Sequence, residues 1–416
     1  MLTNLSARLK EYLPKYILEL IINAGNMAQA QEQRLFLVGG IVRDILLNQP
    51  NSDIDLIVEG DAVKLAMELA RVNQVKMIVH HRFRTARLNF SDFNFDLATS
   101  RKESYSKPGA LPIVEPGIIM DDLQRRDFSV NAMAINIMPG DFGELIDLYG
   151  GLSDIDKRII RILHSGSFID DATRMFRAIR YEQRLGFIID KGTLNLLQGD
   201  LAMIDTIGGD RLRHELELIL REEFPERILS RADELGILRK LHLLLPGKSL
   251  LAKRLKQAKR LYKKGSPVVL YLCLMAYNMT IAENEQFIMR LNFQKKSALA
   301  LQQTLYLKAQ LHRLNTPQVK PSDIYQLLCS YVPQAIEANM ISCSSTLVKD
   351  YLSQYLTRLC YIKPLLTGDD LMKMGIDTGP QIGEILAALY EAKLNNKVKT
   401  RVDEERLVKI LLKRLS

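Results

Sequence analysis

The chain has 416 residues, 47% hydrophobic and 25% charged, a balance that excludes a disordered or fibrous protein and leaves length for about two to four domains. Its net charge of +9 is unevenly divided, with −4 over residues 1–240 and +13 over residues 241–416. Such a split points to a polyanion held by one part and processed by the other, since Lys and Arg gain phosphate affinity through counterion release. A merely soluble basic helical domain is the plain alternative.

The N-terminal stretch MLTNLSARLKEYLPKYILELI carries charges through its apolar positions and reads as an amphipathic helix, not a signal peptide. From residue 34 to about 100 come RLFLV, a Gly39-Gly40 turn, an amphipathic IVRDILL, DIDLIV, a helix near Asp61 to Val72, and the strand-like runs VKMIV, FRTARLNF and FNFDLA. They predict a small α/β domain reaching about Gly151. From Ile155 onward, apolar residues recur at helical spacing between Pro, Gly and Asn punctuation, which predicts an all-helical remainder. Cys273, Cys329, Cys343 and Cys360 form no CxxC pair and have no clustered His beside them, so they read as reduced, buried small hydrophobes. No apolar run reaches the roughly 18 residues of a membrane span. A cytoplasmic enzyme or nucleic-acid-binding protein with no membrane association is the class left.

Gly39 and Gly40 close a strand and open a helix carrying Arg43, where a backbone can approach a phosphate closely and helix N–H groups and an arginine add positive potential. In DIDLIV, Asp53 and Asp55 are two apart on a strand and so share a face. Two such carboxylates repel each other unless a cation lies between them, and hard oxygen donors suit Mg2+ carrying substrate phosphates. An isolated DxD reads rather as a pair of solubilising edge-strand charges. Asp96, in another strand-like run, is the candidate third carboxylate of a two-metal cluster.

The ordered runs LVGGIVRDILL, DIDLIV, FDLATSRKESY, DDLQRRDFSVNAMAI, IDLYGGLSDIDKRIIRIL, DDATRMFRAIRYEQRLGF and DRLRHELELIL closely resemble the class II tRNA nucleotidyltransferase and bacterial poly(A) polymerase family, from about residue 34 to residue 222. The C-terminal third matches loosely, through LLTGDDLMKMGI and GPQIGEILAAL. The resemblance implies an α+β protein with a polymerase-β-like nucleotidyltransferase head (1–151), a helical neck recognising the base (152–222), and a helical body and tail binding RNA (223–416). It implies that Gly39, Gly40 and Arg43 meet the triphosphate and that Asp53 and Asp55 hold catalytic Mg2+. Asp96 is the candidate for the hydroxyl-side metal and for the proton. Arg126 would bind the nucleotide, with Asp127 and Asn131 distinguishing ribose from deoxyribose. Taken alone, RRD would read as a surface ion-pair cluster.

In DDATRMFRAIR, the resemblance makes Asp171 and Arg174 the pair that reads the incoming base, with Arg177 and Arg180 adding contacts; as bare sequence they would be an i,i+3 surface ion pair. A carboxylate only accepts and a guanidinium only donates. Cytosine and adenine both offer an amino donor beside a ring acceptor and match the pair, whereas guanine and uracil set like against like, at roughly 1 to 3 kcal/mol for each unpaired group. CTP and ATP are the expected nucleotides. Asp170 stands where the family has Glu, as in variants adding only the terminal A or only CC. Arg211 and Glu215 resemble the next motif and would brace the helix, or form an ordinary i,i+4 pair.

The run Lys253, Arg254, Lys256, Lys259, Arg260, Lys263 and Lys264 contains no acid, and a second basic segment runs from Lys393 through Lys397, Lys399 and Arg401 to Lys413 and Arg414. With few aromatics interleaved, a duplex such as a tRNA acceptor stem read by shape is the expected partner, or these are solvated faces. The implied reaction is attack of an RNA 3′-hydroxyl on the α-phosphate of ATP or CTP, completing or repairing a tRNA CCA end. No protein partner is implied. A poly(A) polymerase of the same family and a catalytically silent RNA-binding protein are the rival readings.

Overall fold

The computed structural model describes residues 3–80, 84–242, 245, 248–262 and 267–415. The chain divides into two compact units, residues 1–219 with 231–240, and residues 220–230 with 241–416.

In the first unit the N-terminal amphipathic stretch is two helices, α1 (Ser6–Tyr12) and α2 (Lys15–Ala30). Pro14 separates them, and Leu13 before it is extended at φ −86°, ψ 136°, as the steric demand of a following proline ring requires. Next come β1 (Arg34–Val38), α3 (Gly40–Leu47), β2 (Asp53–Glu59), α4 (Ala62–Asn73), β3 (Lys76–His80), β4 (Thr85–Asn89) and β5 (Asn94–Thr99). The Asp61 side chain caps α4, accepting from the Val63 and Lys64 amides at 3.0 Å, and Gln74 ends it in the left-handed conformation. A ribbon of β6 (Arg101–Ser104) and β7 (Ile113–Pro116) precedes α5 (Ile119–Gln124), β8 (Met133–Asn136) and β9 (Leu145–Asp147). The sheet order is β3-β4-β5-β2-β1-β8-β9. β2 and β5 run parallel, and the other neighbours antiparallel.

The face of β2 that carries Asp53 and Asp55 changes character along the strand. Ile57, at its far end, packs with Phe36, Val38, Ala134 and the α5 residues Ile119 and Leu123 in one buried cluster. Each such fully buried side chain contributes roughly 1.5–3 kcal/mol. The helix thus seals the apolar end and leaves the acidic end open.

The segment after Gly151 contains α6 (Gly151–Asp156), β10 (Ile159–Ile160), α7 (Ser167–Asp170), α8 (Thr173–Leu185), β11 (Ile188–Ile189), α9 (Lys191–Gly199) and α10 (Gly209–Arg221). It is not wholly helical, because β10 and β11 pair in parallel. Gly186 ends α8 at φ +66° and turns the chain back so that Ile188 and Ile189 lie along Ile159 and Ile160.

The described part of the second unit is helical. Its most apolar helix, Val268–Ala276, is buried from Leu270 through Ala276 and packs against α11 (Lys248–Leu261), the helix Lys295–Gln310 and the helix Pro333–Ser342. Separate hydrophobic clusters form around Leu307, Ile324, Ile336 and Leu352 and around Leu371, Ile385, Leu389 and Val408. All four cysteines are free; Cys273 is buried, but Cys329 is exposed, lying just beyond the helix Pro321–Leu328. Among the described residues no helix is long and apolar enough to cross a membrane.

Candidate active site

The turn between β1 and α3 requires glycine for two reasons. Gly39 has φ +73°, and a Cβ there would lie 2.5 Å from Arg126 Nη1. Arg43, on the first turn of α3, folds inward and is 3% exposed. Its Nε donates to Asp44 Oδ1 at 2.9 Å and its Nη1 to Asn131 Oδ1 at 2.6 Å. Asn131 Nδ2 donates to Asp127 Oδ1 at 3.0 Å, and Arg177 Nε donates to Asp127 Oδ2 at 2.7 Å. This chain of contacts ties α3 to α8 through the RRD segment. Burial alone would raise the Asp127 pKa, but Arg177 and Asn131 hold it below the usual carboxylate value.

On β2, Asp53 is exposed and Asp55 half-buried. Burial pushes Asp55 up to about 6; Arg126 opposes the shift, and Asp96 and Asp53 add to it. Asp96 on β5 is in register with Asp55, and Arg87 on β4 is in register with Asp96. Arg87 grips Asp96 with two donors, Nε reaching Oδ1 at 2.7 Å and Nη2 reaching Oδ2. Among the described residues no group of three His, Cys, Asp or Glu side chains is gathered for a metal ion. Asp53 and Asp55, both hard oxygen donors on one strand face, nevertheless suit a divalent cation, which would offset the burial of Asp55 and the smaller repulsion from Asp96 and Asp53 that raise its pKa.

Asp122, in DDLQRRD, is fully buried and anchors both arginines of the motif. Arg125 Nε and Nη2 donate to its Oδ1 at 2.9 and 2.6 Å, and Arg126 Nη2 donates to its Oδ2 at 3.0 Å. Glu103 accepts from Arg101, Arg125 and the Tyr105 hydroxyl. Arg174, 5% exposed, donates through Nη1 to Ser167 Oγ at 2.7 Å and through Nη2 to the Arg125 carbonyl at 2.8 Å. Asp171 Oδ1 accepts from the Thr173 amide and hydroxyl, and Oδ2 accepts from Arg211 Nη2 at 2.7 Å. Asp171 and Arg174 are therefore each fixed by other groups. Asp170 lies 3.7 Å from His164 Nε2, and among the described residues it makes no hydrogen bond to Arg174, whose orientation comes from Ser167 and Arg125.

A cavity of about 510 Å³ joins these parts. Its lining includes Gly40, Asp55, Arg126, Asp127, Asn131, Asp171, Arg174, Arg177, Tyr181 and Arg211. Gly39, Asp53, Asp96, Arg43 and Arg180 are outside that lining. Arg180 instead lies 3.9 Å from Glu215 Oε2, whose pKa burial raises despite Arg177 and Arg180. Arg43, Arg177 and Arg180 surround the Tyr181 ring at 5.2, 5.5 and 5.6 Å from its centroid. Tyr181, Glu103, Asp122 and Arg87 were not singled out in the sequence. The i,i+3 and i,i+4 spacing from Asp122 to Arg125 and Arg126 is the one local signal for any of them.

In the second unit, α11 exposes Lys253, Lys256, Lys259 and Arg260 but buries Arg254, whose guanidinium lies 4.9 Å from the Tyr277 ring centroid. Arg254 therefore does not share the exposed face. Lys263 and Lys264 lie outside the described residues. Phe224, 42% exposed, has Arg227 and Lys259 at 4.6 and 5.0 Å from its ring centroid, whereas the basic run's own aromatic, Tyr262, donates its hydroxyl to Glu337 at 2.9 Å. In the second basic segment, Lys393 pairs with buried Glu404 and Arg401 with Asp370, each at 2.7 Å.

A glycine-opened helix beside a strand bearing two same-face carboxylates, on a mixed sheet followed by a mostly helical remainder, defines the class of the fold: a mixed α/β head with helices after it. The Poly A polymerase head domain family matches residues 35–161. The A-adding tRNA nucleotidyltransferase of Geobacter sulfurreducens is 35% identical over 96% of this chain, and that of Halalkalibacterium halodurans 32% identical over 93%. The chain spans 47% of the length of the first relative and 90% of the second. A solved CCA-adding enzyme in complex with ATP superposes with a TM-score of 0.80 at 28% identity, over 100% of both chains. The chain belongs to the tRNA nucleotidyltransferase family.

Proposed function

We propose that this protein is a template-independent tRNA 3′-terminal nucleotidyltransferase that adds C and/or A from CTP and ATP and releases pyrophosphate. Two relatives matched over more than nine-tenths of the chain are named A-adding, which favours ATP and a tRNA already ending in CC. The observation that carries the reading is the cavity in which Asp55 and Gly40 face Asp171 and Arg174.

In this reading residues 1–151 are the catalytic head, 152–222 the neck and 223–416 the body and tail. Asp53 and Asp55 hold Mg2+, with Asp96 on the hydroxyl side; bound metal supplies charge neutralisation at the phosphates and a lower hydroxyl pKa. Arg126 and the backbone at Gly39 and Gly40 receive phosphates, while Arg43 holds Asn131 and Asp127 toward the ribose. Arg174 donates to the ring acceptor of cytosine or adenine, and Asp171 accepts from the exocyclic amino group. Arg177 and Arg180 position this pair through Asp127 and Tyr181. The RNA 3′-oxygen attacks the α-phosphorus and passes its proton to Asp96 as the bond from the α-phosphorus to the bridging oxygen breaks and pyrophosphate leaves. Exposed Lys253, Lys256, Lys259 and Arg260 engage the tRNA backbone, consistent with a cytoplasmic enzyme.

The test is incubation with tRNAs ending at the discriminator base, at C or at CC, supplying each nucleoside triphosphate separately. Addition confined to C or A on tRNA is expected. Long A tails on RNAs other than tRNA would contradict the reading, as would no metal-dependent incorporation.

A further inference from the structure

In the second unit, three helices bring two cations to one aromatic ring. Arg254 of α11 holds its guanidinium 4.9 Å from the ring centroid of Tyr277, the residue that ends the helix Val268–Ala276. Lys308, in the last turn of the helix Lys295–Gln310, holds its Nζ 4.7 Å from the same centroid and donates to the Tyr277 carbonyl at 2.6 Å. That carbonyl lies at a helix C-terminus, where a cation is favoured, so Lys308 has a suitable partner. Arg254 does not. It is 8% exposed, and among the described residues it makes no hydrogen bond and no ion pair.

The groups around it supply no negative charge. Burial, above all, pushes the Tyr277 hydroxyl up to about 12, so the ring is a neutral phenol at pH 7. Burial likewise raises the neighbouring Cys343 thiol. Lys308 feels the excess of positive charge, since burial and then Arg254 lower its pKa. A guanidinium cannot shed its proton in a protein, so its burial has to be offset by an anion or by hydrogen bonds. A ring face attracts the cation but leaves the five in-plane N–H donors unused. Those donors are within reach of solution: among the described residues, no nitrogen of Arg254 is both unbonded and sealed from solvent.

We propose that Arg254, with Lys308 beside it at the Tyr277 ring, binds a small tetrahedral oxyanion of the phosphate class, which accepts from the guanidinium fork and neutralises the two cations. The narrow opening sets the size of the ligand. An RNA backbone carries each phosphate between two sugars and needs an open face, such as exposed Lys253, Lys256, Lys259 and Arg260 present; the 8% of Arg254 that meets solvent admits only a small ion. The site shares no residue with the nucleotide cavity and makes the stability of the second unit depend on a free anion.

The experiment follows thermal unfolding of the full chain with increasing inorganic phosphate, ionic strength being held constant with sodium chloride, for wild type, Arg254→Met and Arg254→Gln. Affinity for a tRNA ending in CC is measured in parallel. With phosphate about tenfold above its dissociation constant, wild type should gain roughly 3–5 °C more than either variant, a comparison that cancels any phosphate bound in the first unit. Arg254→Met fills the space without the charge; Arg254→Gln, also uncharged, gives the same comparison should Arg254→Met fail to fold. Both variants should bind tRNA within about twofold of wild type, since the exposed face of α11 is intact. Equal responses to phosphate in wild type and variants would overturn the site. A tRNA affinity lowered about 10-fold in both variants, the size of one charge-assisted phosphate contact, would give the guanidinium to the RNA backbone and overturn the free ion whichever way the phosphate response falls.

Discussion

Arg211, on α10, donates through Nη2 to Asp171 Oδ2 at 2.7 Å, so the carboxylate assigned to the incoming amino group is oriented from a different helix. Among the described residues, its buried Nη1 has no hydrogen-bond partner. Arg211→Ala would free Asp171 to rotate while leaving the cavity lined as before. Misincorporation of UTP and GTP relative to ATP should rise by about 10-fold, the equivalent of roughly 1.4 kcal/mol of lost discrimination. Single-nucleotide incorporation with each triphosphate checks this, and unchanged selectivity would mean that Asp171 needs no partner.

Arg174 is fixed by Ser167 and by the Arg125 carbonyl. Arg174→Ala should relax base choice more than it weakens tRNA binding, because the side chain lines the nucleotide cavity. Loss of its buried hydrogen bonds should also cost about 1–3 kcal/mol of stability. Competition between ATP and UTP at saturating tRNA measures the first effect, and a urea titration the second.

Asp122 touches no substrate in this account, yet it carries Arg125 and Arg126. Asp122→Ala leaves the partly buried Arg126 without its carboxylate and Arg125 with Glu103 alone, at a cost on the order of 3 kcal/mol. Because the Arg125 carbonyl holds Arg174, the variant should lose base selectivity as well as stability. Asp122→Asn, which keeps the shape and one acceptor, should recover more of the stability than of the selectivity. Thermal unfolding and the four-nucleotide assay separate the two.

Burial and its carboxylate neighbours, against the pull of Arg126, put the Asp55 pKa at about 6. Its folded pKa lies above the ordinary value near 4, so the folded state holds the proton more tightly than the unfolded chain. Stability from this group therefore falls as pH rises from about 4 to about 6 and is constant above. Without metal, Asp55→Asn should be more stable than wild type at pH 7.5 by on the order of 2 kcal/mol, an advantage that disappears toward pH 4. Mg2+ binding needs the carboxylate, so wild-type affinity should weaken as pH drops below about 6. Calorimetry of wild type and Asp55→Asn across this range, with and without Mg2+, tests both signs.

The parts of the site that were legible in the sequence are those fixed by local periodicity. Asp53 and Asp55 share a face because strands repeat every two residues, and the Gly39 turn followed from its position between strand and helix. Arg87 was hidden because its place beside Asp96 depends on the pairing of β4 with β5, which no single segment contains. Arg43 is expected at the triphosphate and Arg254 on the RNA-binding face, but helix phase turns each inward, onto Asn131 and Tyr277 respectively. The parallel pairing of β10 with β11 escaped the helical reading for the same reason as Arg87: two-residue strands carry no period of their own.

The most direct test of the central claim is transfer of one labelled AMP from ATP to a tRNA ending in CC, measured for wild type and Asp53→Ala alongside their affinities for that tRNA. The account predicts a single Mg2+-dependent addition by wild type. Asp53→Ala should show at least a 100-fold loss of rate, since one of the proposed metal ligands is gone, while tRNA affinity stays within about twofold because the basic face of α11 is untouched. An Asp53→Ala protein that still adds AMP at the wild-type rate would contradict the assignment of the β2 carboxylates as the catalytic centre.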